Sequence, residues 1–97
     1  MKVRWSQTAL VQLDDIFFYI YERNRPAALS VTKRVEELAS LLGEFPFIGH
    51  STDEAGVRIL PVVRYPFVIF YTIDDAAGEV VILYVRHTAQ EPPQVLR

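Results

Sequence analysis

The sequence predicts an α+β domain in which a two-helix hairpin packs on one face of a mainly antiparallel sheet. Three observations predict it. Residues 2–5 alternate polar and apolar side chains, two stretches between residues 7 and 42 repeat apolar residues at helical spacing, and three runs after Gly56 are rich in Val, Ile, Leu, Phe and Tyr. The order is one strand, a two-helix hairpin, then a three-stranded antiparallel sheet. With 97 residues the chain can close one hydrophobic core and has nothing left for a second. A single domain over 1–97 is therefore expected, with residues 88–97, which contain Pro92 and Pro93, as an irregular tail.

In the opening strand the alternation of Lys2, Val3, Arg4 and Trp5 turns Val3 and Trp5 inward. Ser6 follows as an N-cap for a helix over residues 7–23, whose stripe is Leu10, Leu13, Phe17, Ile20 and Tyr21. Asn24 can end that helix. Pro26 suits the first turn of the next, because its fixed φ and missing N–H cost nothing there. The second helix runs to about Leu42, buries Ala28, Val31, Val35, Leu38, Ala39 and Leu42, and is expected to stop with Gly43 at C′. Residues 44–56, with Pro46, Gly49 and a polar stretch from His50 to Glu54, break both periodicities and read as a loop. Phe45, Phe47 and Ile48 are expected to tuck that loop against the core.

Residues 57–63, 66–73 and 79–87 are the later strands. The acidic turn over 74–78, ending in Gly78, joins the last two as a hairpin, and Pro61 marks its strand as an edge or a bulge. In the middle strand both alternating sets are apolar, Phe67, Ile69 and Tyr71 on one side and Val68 and Phe70 on the other. The second sheet face is thus not ordinary solvated surface.

Composition excludes several function classes. The chain is 51% hydrophobic and only 23% charged with mixed sign, which is globular and not disordered. It has no cysteine, so a disulfide scaffold, thiolate nucleophile and sulfur-ligated zinc are excluded, and a reducing, cytoplasmic setting is expected. Nothing at the start resembles a secretory leader, and no stretch approaches the roughly 18 to 20 apolar residues that cross a bilayer. A net charge of −2 argues against a phosphate-backbone binder, so no specific DNA binding by this chain alone is expected. His50 and His87 lack any ligand spacing and the four glycines stand singly, so neither a metal nor a cofactor is expected.

Arg58, Arg64 and Arg86 are the only cations between Gly56 and the tail, all on or beside strands. Gathered on one face with His87 they would grip phosphate or carboxylate and form a ribonuclease-like set. Alternatively each pairs with an acidic loop residue such as Asp53, Glu54, Asp74 or Glu79, and His87 is an ordinary strand-end histidine. On the helices Val11, Phe18, Tyr19, Leu29 and Leu41 lie off the core stripes. They are either scattered surface hydrophobes or a groove for an amphipathic partner segment. Tyr65-Pro66 either shapes a turn or touches a target.

Tyr65-Pro66-Phe67 leading into Ile69-Phe70-Tyr71, with Val85-Arg86-His87 ending the last strand, resembles the C-terminal sheet of the RelE/ParE toxins of type II toxin-antitoxin systems. Val3-Arg4-Trp5-Ser6, Ala9, Leu13, Ile16 and Tyr19-Ile20 are similar to that superfamily's opening strand and helix. The resemblance implies a toxin neutralised by a cognate antitoxin, of ribbon-helix-helix type and in a hetero-oligomer, that wraps the helical hairpin and the sheet edge. It also implies one of two activities: ribosome-dependent cleavage of messenger RNA, or inhibition of DNA gyrase. The cleaving branch commonly has an arginine where this chain has Val68, and a catalytic tyrosine or histidine-tyrosine pair soon after the last strand, where His87 is followed by Thr88-Ala89-Gln90. Those departures point to the ParE side, with gyrase as target and no catalytic residue. The alternatives are a RelE-like ribonuclease using Arg58, Arg64, Arg86 and His87, or an inactive toxin that retains only antitoxin binding.

Overall fold

The computed structural model describes residues 1–88. The expected tail therefore lies outside the described residues except for Thr88, whose N–H donates to the Pro66 carbonyl at 2.7 Å. Strand β1 (Lys2–Trp5) leads into helix α1 (Gln7–Arg23), which Ser6 caps by accepting the Ala9 N–H at 3.0 Å. Asn24 serves two helices at once. Its own N–H donates to the Ile20 carbonyl to close α1, and its side-chain oxygen accepts the Ala27 N–H to open α2 (Arg25–Glu44). With Pro26 in the first turn, one residue makes the whole connection, and the hairpin is tight.

All six residues expected on the core side of α2 are buried. In α1 the buried stripe lies further round the helix than expected. Ala9 is fully buried with Leu13, Ile16 and Ile20 beside it, while Leu10 and Tyr21 are exposed. The reason is that α1 has apolar residues on three sides, so periodicity alone fits more than one face. Gly43 also departs from expectation: it lies inside the helix, which ends at Phe45. A Cβ on Gly43 would stand 2.7 Å from the Met1 carbonyl oxygen, so glycine is needed there for the close approach of β1 to α2.

Among the described residues the sheet has five strands, one more than expected, in the order β1-β5-β4-β3-β2. The extra strand is β2 (His50–Ser51), two polar residues of the predicted loop that pair with Ile59 and Arg58 of β3 (Val57–Val62). Beyond Ile59 the outer side of β3 has no partner strand among the described residues, and Pro61 sits there. Strands β3, β4 (Phe67–Asp74) and β5 (Glu79–His87) are antiparallel neighbours, and β1 joins β5 in parallel, Lys2 opposite Glu79 and Trp5 opposite Ile82. Alternation turns Phe67, Ile69 and Tyr71 into the core under the helices and leaves Val68, Phe70 and Thr72 on the other face. The β4–β5 register runs from Phe70 opposite Tyr84 to Tyr71 opposite Ile82, so Leu83 is a bulge.

The bulge falls where β1 stops covering β5. There α1 completes the edge with side chains: Ser6 Oγ donates to the Leu83 carbonyl at 2.8 Å, and Gln12 Oε1 accepts the Val85 N–H at 2.8 Å. Among the described residues no helix is long and apolar enough to cross a membrane.

Candidate functional site

Three places in the fold carry the residues singled out by the sequence. The first is an apolar groove of about 480 Å³ at the tip of the hairpin, between both helices and the end of the sheet. Ile16, Tyr19 and Ile20 of α1, Ala27 and Val31 of α2, and Tyr65, Pro66 and Phe67 wall it, with Asp15 and His87 completing the lining. The β3–β4 turn shapes its floor. Tyr65 N–H donates to the Val62 carbonyl and Phe67 N–H to the Tyr65 carbonyl, while Arg64 takes a left-handed φ of 78°. So Tyr65-Pro66 does shape the turn, and it also presents side chains to the groove. His87 sits opposite Phe67 in register, its ring edge-on to the Phe67 ring at 5.2 Å.

The five apolar helix candidates are all exposed, but they do not form one patch. Val11 and Phe18, seven residues apart, share one side of α1, whereas Tyr19 is about 80° round from Val11 and enters the groove. Leu29 and Leu41 stand about 120° apart around α2. Sequence reasoning missed Asp15, Ala27 and Val31 as groove residues, because the groove forms only where the two helices meet the β3–β4 turn.

The second place is a clamp at the far end of the sheet. Phe45, Phe47 and Ile48 were expected to pack on the core, yet they are 55%, 64% and 38% exposed. The loop is held by polar groups instead. Tyr71, fully buried, donates its phenol O–H to the Pro46 carbonyl at 2.7 Å and accepts the Gly49 N–H at 3.0 Å. Arg58 donates to the carbonyls of Phe47 and Gly49 and to Ser51 Oγ, with its guanidinium 5.3 Å from the Phe47 ring centroid. Its Nε is buried without a partner.

The third place is the sheet face away from the helices. Arg86, opposite Val68, lies over the rings of Phe70 and Tyr84 at 5.5 and 5.8 Å. The structure therefore does not gather Arg58, Arg64 and Arg86 on one face. Register and alternation put Arg58 on the helix side with Tyr71, Arg86 on the opposite side, and Arg64 in the exposed turn. None of the three pairs with a carboxylate among the described residues; Glu79 binds Arg4 at 3.2 Å. No group of acidic, histidine or cysteine side chains among the described residues could hold a metal ion.

This arrangement of strand, hairpin and bulged sheet matches known proteins closely. The family model of the ParE toxin of type II toxin-antitoxin systems covers residues 3–92. The chain belongs to the ParE toxin family. A protein from Sinorhizobium fredii with the name "Putative toxin Y4kP" is 35% identical over 95 residues, spanning 98% of this chain and 96% of that one. Among solved structures, the chromosomal ParDE system of P. aeruginosa superposes with a TM-score of 0.77 at 24% identity, over 90% of this chain and 95% of that chain. The RelBE2 toxin-antitoxin complex of Mycobacterium tuberculosis gives 0.64 at 26% identity, over 89% and 95%. The ParE toxin described here thus shares its fold with both branches of the superfamily.

Proposed function

We propose that this toxin acts by binding, with DNA gyrase as its target, and that a cognate antitoxin neutralises it by laying an amphipathic segment into the groove at the hairpin tip. The observation that carries the first part is the dispersal of the basic residues. Metal-free RNA cleavage needs a base, an acid and phosphate-holding cations within reach of one scissile bond. In this chain Arg58 is committed to loop carbonyls, Arg86 is on the other face of the sheet, and His87 packs against Phe67 at the groove. The match to a ParE model and the absence of an arginine at Val68 point the same way.

The second part is supported by the groove itself. It is lined almost entirely by apolar side chains, as a pocket for one helical partner's anchors should be, and Tyr19, 60% exposed, is one of them. The relatives with solved structures include toxin-antitoxin assemblies, and a ribbon-helix-helix antitoxin in a hetero-oligomer is the partner proposed here. Purified toxin added to gyrase and relaxed plasmid is expected to block supercoiling at micromolar concentration. Unchanged supercoiling together with in-frame cuts in translated messenger RNA, lost in Arg86→Ala, would transfer the chain to the ribonuclease reading.

A further inference from the structure

We infer that the sheet face turned away from the helices is the surface that grips the target, and that Arg86 there takes a carboxylate presented by a protein. The inference rests on the reading above that the toxin acts by binding. It starts from an anomaly. An antiparallel sheet with helices on one side ordinarily carries polar residues on the other, yet the open face of β4 and β5 centres on Val68, Phe70 and Tyr84, with Ile59 of β3 alongside. Phe70 and Tyr84 face each other in register, their rings edge-on at 6.0 Å.

Arg86 lies over both rings and is only half-exposed, yet it makes no ion pair or hydrogen bond with any described residue. The two rings hold the planar guanidinium in place, so its N–H fork is already oriented and unspent. A held guanidinium in an aromatic surround complements a carboxylate, which the fork can bind bidentately. Tyr, Phe and Arg in one cluster is also the composition of energetic centres in protein interfaces. A nucleic acid fits less well. Asp74 and Glu79 stand opposite each other in register at the end of the same two strands, and Glu79 has already engaged Arg4. A polyanionic strand laid along the sheet would run from one cation into those carboxylates, and the chain's net charge is −2.

The test compares the parent chain with Arg86→Glu and Arg86→Lys in three assays: growth arrest on induction, gyrase supercoiling of relaxed plasmid, and binding of a fluorescein-labelled single-stranded RNA. Thermal melting checks folding. Expected is a loss of potency of about tenfold or more in Arg86→Glu, a smaller loss in Arg86→Lys, which keeps the charge without the fork, and melting temperatures close to the parent's. Growth arrest by Arg86→Glu equal to the parent's would overturn the inference. RNA binding by the parent that Arg86→Glu abolishes would overturn its protein-carboxylate form. If the parent arrests growth but leaves supercoiling unchanged, gyrase is the wrong target, and the loss of arrest in Arg86→Glu still supports the gripping face. A parent chain that neither arrests growth nor inhibits gyrase overturns both readings.

Discussion

Replacing Tyr71 by Phe removes one oxygen atom and tests how the exposed loop between α2 and β3 is held. The hydroxyl is the donor for the Pro46 carbonyl and the acceptor for the Gly49 N–H, in a side chain with no exposed surface. Gly49 is itself buried, so its N–H loses its partner away from water, which costs about 1–3 kcal/mol. The Pro46 carbonyl belongs to a half-buried residue next to exposed Phe45 and Phe47, so water can replace part of its lost bond. A total near 2 kcal/mol follows. For a domain of this size each kcal/mol moves the midpoint by about 4–8 °C, so Tyr71→Phe should melt roughly 8–16 °C below the parent. Urea unfolding followed by circular dichroism supplies the free energy, and amide hydrogen exchange reports on Gly49. The loop should loosen first, because Arg58 still grips the Phe47 and Gly49 carbonyls but nothing then holds the Gly49 N–H. A loss under about 0.5 kcal/mol, with Gly49 protection unchanged, would refute the assignment of the phenol as the clamp.

Three further outcomes are expected. Gly49→Ala should destabilise by about 1–3 kcal/mol in urea unfolding, since its Cβ would stand 2.6 Å from Tyr71 Oη and 2.7 Å from the Ile59 carbonyl oxygen, and a neutral result would show that the loop can shift. Arg64→Gly should hold or raise stability by several tenths of a kcal/mol, because glycine relieves the left-handed φ at a small entropic cost, and a clear loss would mean the Arg64 side chain makes a contact that matters. Phe18→Asp, at a site 59% exposed, should leave the melting temperature within a few degrees while weakening co-purification with a co-expressed cognate antitoxin; an equal fall in both would place Phe18 in the core.

How much of this was legible in the sequence differs from element to element. The buried face of α2 could be read residue by residue, because its charged positions leave one continuous apolar side; Leu29 and Leu41 stand exposed off that side, and Gly43 lies inside the helix it was expected to stop. In α1 the existence and ends of the helix were legible, from Ser6 and Asn24, but its rotation was not. Phe17, Phe18, Tyr19 and Tyr21 give no polar face to orient against, and tertiary packing chose Ala9, Leu13, Ile16 and Ile20. Strand β2 was invisible for another reason. Two polar residues carry no period, and their pairing with β3 is backbone chemistry that any side chain allows. Of the basic residues, sequence could name Arg58 and Arg86 but not separate them. A carbonyl cluster such as Phe47 and Gly49 leaves no side-chain trace, and the face each arginine occupies depends on register.

The parallel pairing of β1 with β5 has a consequence in time as well as in space. Trp5 meets Ile82, and the Ser6 hydroxyl meets a carbonyl 77 residues further along the chain. At synthesis rates of about 5–20 residues per second the opening strand waits roughly 4–15 s for its neighbour to be made. Until then its main-chain groups and the half-buried Val3 and Trp5 have no sheet to join. A chain interrupted shortly before Glu79 would therefore lose two strands rather than one, and the toxin is assembled only once its message has been read through the last strand.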